Sequence, residues 1–317
     1  MLVFVPALRF LRRALPDAKI TLLCKHQGGI EIIKNCPYYD DMIVVKNRSF
    51  KEKIRLISAF RKRKLDAFII SPQDLGRCPW GFMGGAKKII GFPQVLYRGK
   101  WKSEKLPFLL SGKLEWDTEA SETENCVNLV QYALTSMNVI TEVDPSLETE
   151  YSWFSTETPA KTLEKFNIDC SYLTVAPFSK QENKNWSFDK MTALLKELQN
   201  KTKSKIVLIG SRDDAEKCSQ LATEVGSGCN SLVGQLSLDE SAWLIHKSIL
   251  FFGPDSGPAH LATAVKTPAV VMYGPADYKR WRTAAPAAPR SDLLGSEGNV
   301  NNISIDEVLQ ACLDLIS

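Results

Sequence analysis

The chain has 317 residues, 44% of them hydrophobic and 24% charged, with a formal net charge of +4; this length suits two domains of ordinary size, each with its own core. No run approaches the ~18 consecutive apolar residues that span a bilayer, and the modest charge permits an anionic partner without demanding one. The eight cysteines, at 24, 36, 78, 126, 170, 218, 229 and 312, show neither C-x-x-C spacing nor a companion histidine cluster, which argues against zinc or redox chemistry and for buried free thiols.

The N-terminal stretch MLVFVPALRFLRRALPDA turns from apolar to basic, the reverse of a secretory signal, and is read as a helix from about Pro6 to Leu15. Next come ITLLC, a helix near Gly29 to Lys34, MIVV, a helix from Phe50 to Arg63, and AFII. Short apolar runs separated by helical periodicity predict a parallel sheet. After Lys105 the pattern weakens into a loop-rich stretch, then a helix from Glu122 to Met137 precedes VDPSLETEYSWFSTETP, the best linker. The alternation restarts with YLTVAP, a helix from Phe188, KIVLIG, a helix from Asp213, SLVG, a helix from Leu238 to Lys247, ILFFG, a helix through HLATAV, and AVVMYG. A terminal helix opens with a Ser304-x-x-Glu307 capping box. Two domains are therefore expected, 1–150 and 151–317, both α/β, and the last helix of the chain is free to return and pack on the first. In the second, the loops after Pro177, Gly210, Gly234, Gly253 and Gly274 should converge on one rim, because ligands bind beyond the carboxyl ends of such strands.

Two of these loops carry the chemistry. In ILFFGPDSGPAHLATAV a strand ends at Gly253, Asp255-Ser256-Gly257 turns, and Pro258 suits the first turn of a helix. Free amides at Ser256, Gly257 and Ala259 and the positive end of the helix dipole suit a diphosphate without any metal, and Asp255 suits sugar hydroxyls. By itself such a turn is more often simply a capped helix. In APFSKQENKNWSFDK the strand leaves past Ser179 into a polar loop, where Lys184 can neutralise charge on a departing diphosphate; read alone, it is equally a surface lysine beside an anchoring Trp186. Gly210, with Asp214 and Glu216, suits a base and ribose, and Gly234 and Leu236 suit the base edge. His260, in the first turn of a small-residue helix, reads as a packing or capping residue.

The series PALRFLRRALPDAKITLL, KRKLDAFII, K-N-W-S-F-D, LIGS, GQLSLDE and DSGPAHLATAVKTPAVVMYGP resembles glycosyltransferase family 9, the ADP-heptose:lipopolysaccharide heptosyltransferases, across nearly the whole chain. That resemblance implies a GT-B architecture of two Rossmann-like domains facing across a cleft, donor on the C-terminal domain and acceptor on the N-terminal one. It implies inverting transfer of a heptose from ADP-heptose to a lipopolysaccharide core, with no metal or other cofactor and no nucleic-acid partner. The expected location is cytoplasmic, with peripheral contact at the inner face of the cytoplasmic membrane allowed. Asp255, Ser256, Gly257 and His260 match the family's donor block, and Lys184 its phosphate-facing lysine.

Family members begin with a strand and a glycine-rich turn ending in Gly-Asp, whose aspartate is the general base. This sequence starts within the following helix, so a sheet strand and the base are expected upstream of Met1. Two consequences are open: a shortened chain of weak activity, or a relative that binds nucleotide-sugar without turnover. A sugar-nucleotide epimerase of similar fold would need its own carboxylate and histidine set. For a phosphorylated, lipid-linked saccharide acceptor, the candidates are Gln73, Asp74 and Arg77 in SPQDLGRCPWGFMGG; Arg61 to Lys64 read as a solvated helix end.

Overall fold

The computed structural model describes residues 1–97, 99–154, 171–274 and 278–316. The chain divides into two compact units. The first comprises Met1, 3–147 and 279–284; the second comprises Leu2 and the described residues of 148–278 and 285–316. The first therefore receives a short return segment from late in the chain, while the terminal helix belongs to the second.

In the first unit the order is α1 (Val5–Ala14), β1 (Thr21–Cys24), α2 (Gln27–Ile33), β2 (Asp41–Val44), α3 (Phe50–Arg63), β3 (Ala67–Ile69), α4 (Cys78–Met83), β4 (Lys88–Gly91), β5 (Gln94–Tyr97), β6 (Lys100–Ser103), β7 (Gly112–Lys113) and α5 (Glu122–Ser136). The strands form two separate parallel sheets, β1-β2 and β3-β4-β7, with β5-β6 as an antiparallel hairpin. The long helices begin at serines whose side chains accept a backbone N–H: Ser49 from Glu52, and Ser121 from Glu124 in a complete capping box. α1 lays Ala7 and Phe10 against Cys126, Val127, Val130 and Leu134 of α5, the 3–4 spacing of one helix face.

In the second unit β8 (Tyr172–Val175), α6 (Phe188–Thr202), β9 (Lys205–Leu208), α7 (Ala215–Val225), β10 (Cys229–Ser231), α8 (Leu238–Lys247), β11 (Leu250–Pro254), α9 (Gly257–Ala264), β12 (Ala269–Tyr273), α10 (Tyr278–Trp281), β13 (Arg290–Leu294) and α11 (Ile305–Ile316) follow in turn, α10 crossing into the return segment. The sheet is wholly parallel, in the order β10-β9-β8-β11-β12-β13. Every residue of β8, β11 and β12 is buried, as central strands covered on both faces require. α11 packs on α6, β11, β12 and β13, behind the Ser304–Glu307 capping box in which each residue's side chain accepts the other's backbone N–H.

The structure shifts several expected elements. β10 occupies Cys229–Ser231 rather than SLVG, because Leu232 and Val233 already lead into Gly234 at φ +74. A tight 3-10 turn at Arg212–Asp214 delays α7 to Ala215. The stretch between AFII and Lys105, to which periodicity assigns no element, contains α4, β4 and the β5-β6 hairpin, and the loop-rich stretch after Lys105 contains β7, elements too short for periodicity to register. Seven cysteines are buried and free; burial pushes the thiols of Cys78, Cys218, Cys229 and Cys312 up to about 12. Cys170, the end of the linker stretch and the start of the loop after Gly274 lie outside the described residues. Among the described residues no helix is long and apolar enough to cross a membrane.

Candidate active site

The strand order of the second unit reverses between β8 and β11, and the crevice beyond the carboxyl ends at such a reversal is where open parallel sheets bind ligands. The two chemically informative loops leave from these adjacent strands. Gly253 allows the close approach: a Cβ there would stand 2.7 Å from the Ala176 carbonyl oxygen.

Lys184 is buried, at 8% exposure, and not a surface lysine. Its Nζ donates to Asp255 Oδ2 at 2.6 Å and to the Asp255 carbonyl at 3.2 Å. An ammonium carries three N–H donors, so one is left to aim at a ligand. The loop is braced by Asn185, which accepts from Ser179 N and donates to Ser179 O, and by Trp186, whose indole donates to Val300 O. Ser179 is spent on this brace and on Gln181. Asn185 and its role escaped the sequence reading, although it stands inside the quoted K-N-W.

Asp255 is itself buried, and its second oxygen lies 3.6 Å from His260 Nε2. Ser256 stands in extended conformation before α9, with its Oγ buried and without a hydrogen-bond partner. The first turn of a helix leaves its N–H groups without intrahelical acceptors, so Gly257 and Ala259 present theirs beside Ser256. No atom outside its chain neighbours and its own helix backbone lies within 4 Å of a Cβ built on Gly257, so that side of the first turn is open. Behind α9, Arg290 donates to Thr263 Oγ1 and the Tyr273 hydroxyl and pairs with Asp292.

Burial pushes His260 down to about 4, offset in part by Asp255 and reinforced by Arg290. The imidazole is therefore neutral near pH 7. The unfolded chain, whose histidine has the ordinary value of about 6.5, takes up a proton that the folded chain refuses between these values. Stability should thus fall as pH drops from about 6.5 toward 4, by up to about 3 kcal/mol. Urea midpoints measured across this window should decline in the parent protein and less steeply in His260→Asn; equal slopes would assign the loss to other groups.

The base-side candidates are drawn together less tightly. Gly234 N donates to Gly210 O at 3.3 Å, and a Cβ on Gly234 would stand 2.8 Å from Arg212 Cα, so the loops after β9 and β10 pack on each other. Asp214 is turned inward, accepting from the Ser211 hydroxyl. Glu216 is exposed on the first turn of α7 and Leu236 is half-buried. No described contact joins either to the Lys184–Asp255 pair.

In the first unit Gln73 Nε2 donates to Glu122 Oε1 at 3.1 Å, and Glu122 Oε2 accepts from Arg280 Nε at 2.6 Å. Asp74 lies 3.7 Å from Arg77, which stacks 4.0 Å over Trp80. Glu122 and Arg280 were not among the candidates; they are 158 positions apart, beyond the reach of any local motif.

Two α/β units, one of them a parallel sheet of order 3-2-1-4-5-6 with its charged cluster at the reversal, are the parts of a GT-B fold. The chain superposes on E. coli ADP-heptose lipopolysaccharide heptosyltransferase II with a TM-score of 0.76 at 21% identity, covering all of this chain and 95% of the other. It superposes on E. coli heptosyltransferase WaaC with ADP-2-deoxy-2-fluoro heptose with a TM-score of 0.71 at 17% identity, covering 99% and 95%. In sequence it is 25% identical to lipopolysaccharide heptosyltransferase 3 of E. coli K12 over 302 residues, 89% of this chain and 81% of the relative. The model of glycosyltransferase family 9 (heptosyltransferase) matches residues 116–309. The protein belongs to that family.

Proposed function

We propose that the protein transfers a heptose-type sugar from an ADP-heptose donor to a lipopolysaccharide core acceptor, with inversion and without a metal. The observation that carries this reading is the buried Lys184–Asp255 pair beside the open first turn of α9. The acceptor hydroxyl attacks the anomeric carbon from the face opposite the diphosphate, the carbon–oxygen bond to ADP breaks, and a base takes the hydroxyl proton. The remaining N–H of Lys184 and the amides of Gly257 and Ala259 meet the charge growing on the leaving diphosphate, and Asp255 keeps the ammonium aimed. Relatives support the donor: WaaC holds an ADP-heptose analogue. They support the acceptor through the lipopolysaccharide heptosyltransferase to which the chain is 25% identical over 302 residues.

A second reading, nucleotide-sugar binding with little transfer, rests on the carboxylates of the first unit. Glu122 is tied to Arg280 and Gln73, and Asp74 stands beside Arg77, so both carboxylates are already engaged by partners of their own. Transfer measured beside donor binding separates the two readings.

Calorimetry with ADP tests the donor site. A Cβ built on Gly257 meets no non-neighbouring atom within 4 Å, so Gly257→Val, with its folding checked by the urea midpoint, should lose at least about tenfold in ADP affinity, one displaced set of charge-assisted bonds. Affinity should be the same in EDTA and in Mg²⁺. Undiminished binding by Gly257→Val, or binding only with Mg²⁺, would refute the assignment.

A further inference from the structure

A segment far along the chain grips the loop that carries Lys184. The three residues by which that loop leaves for α6 are met in turn by Val300 and Asn301. The Trp186 indole donates to Val300 O at 3.0 Å, Ser187 N donates to Asn301 Oδ1 at 2.9 Å, and Asn301 Nδ2 makes a long contact with Asn185 O at 3.5 Å. One side-chain amide thus spans the two peptide groups that flank Trp186. Lys190, on the first turn of α6, adds a tie from below, donating to Asn301 O at 2.7 Å and to Ile303 O at 3.0 Å.

The grip has a rigid backing. Val300 is fully buried in the core of the second unit. A Cβ built on Gly274, just past β12, would stand 3.2 Å from Val300 Cβ and 3.3 Å from Asn183 O, so the Lys184 loop, the end of β12 and the Val300 segment are stacked on one another. Asn301 N in turn donates to Asn299 Oδ1 at 3.0 Å, which steadies the residue that does the gripping. Asn301 itself is exposed, so the core does not need its side chain. The start of α6 does not need it as an N-cap either, since the Ser187 hydroxyl already accepts from Lys190 N.

We infer that Asn301 is a positioning residue for Lys184. By fixing Asn185 to Ser187 it sets where the ammonium, two bonds deep in Asp255, stands relative to the first turn of α9. This role presupposes the donor reading, in which that ammonium meets the diphosphate. A group that acts by charge must be held in place, and a misplacement of about 1 Å by a change far from the chemistry can cost about 10²-fold.

Calorimetry with ADP and with AMP gives the test, because the ratio of the two affinities isolates the terminal phosphate. The preference for ADP should fall at least about tenfold in Lys184→Met/Asp255→Asn, the loss of one charge-assisted contact. It should fall at least about threefold in Asn301→Ala, with AMP affinity at the parent value. Asn301→Asp keeps an oxygen for Ser187 N and should restore most of the preference. Asn301→Ala added to Lys184→Met/Asp255→Asn should cost nothing more, since a residue that acts through Lys184 then has nothing left to position. Urea midpoints on each variant establish that it is folded. A parent-like ratio in Asn301→Ala, or a loss that adds in full to that of Lys184→Met/Asp255→Asn, would overturn the assignment of Asn301. An unchanged ratio in Lys184→Met/Asp255→Asn would instead overturn the donor reading, and the role of Asn301 with it.

Discussion

Lys184→Ala is expected to lower sugar transfer by roughly 10²-fold or more and also to destabilise the fold by about 3–5 kcal/mol. The first effect follows from the proposed role, since the change removes a side-chain cation aimed at the leaving diphosphate. The second follows from burial: without the ammonium 2.6 Å away, the Asp255 carboxylate, 4% exposed at its side chain, is left as an uncompensated charge. A surface lysine would have left stability untouched. Lys184→Met combined with Asp255→Asn separates the effects, because a neutral pair of similar volume should regain most of the stability while transfer stays low. Urea denaturation and a transfer assay on the three proteins give the comparison. Parent-like transfer by Lys184→Ala would remove the residue from the chemistry.

Arg280→Ala should cost about 3–5 kcal/mol as well, through a different network. Arg280 and Glu122 are 3% and 1% exposed at their side chains and meet at 2.6 Å. The guanidinium also donates to the Leu96 carbonyl and lies against the rings of Tyr97, Trp116 and Trp281. On either side, Lys279 pairs with Glu119 and Arg282 with Glu124, exposed or partly exposed contacts worth at most about 1 kcal/mol each. The buried pair thus dominates the hold on the return segment. Because Glu122 also accepts from Gln73, its loosening should raise KM for the acceptor and leave ADP affinity alone. A double-mutant cycle of Arg280→Ala and Glu122→Ala should show a coupling of at least about 1 kcal/mol. A coupling near zero would show that the pair does not act as a unit.

Much of the framework was legible because it is local. The helix over Phe50–Arg63 has both predicted limits, since Ser49 caps one end and a basic run closes the other. The buried runs of β11 and β12 announce themselves as continuous apolar segments, and the Asp255-Ser256-Gly257 turn before Pro258 marks an anion-suited helix start. Those signals need only neighbouring residues. Asparagine 185 could have been suspected, as an Asx residue between a strand and a capped helix, but its two bonds to Ser179 depend on how the loop folds back.

By itself, then, the order of residues determined two α/β units, the loops to which a donor role is proposed, and the family. Only the tertiary structure decided that Lys184 is buried against Asp255, that Gln73 is committed to Glu122, and that Asn301 meets Asn185 and Ser187. The reason is physical. Periodicity and capping report which way a side chain points from its own element, whereas burial, ion pairing and exposure depend on partners 71, 49 or 158 positions away, brought near only when the sheets assemble.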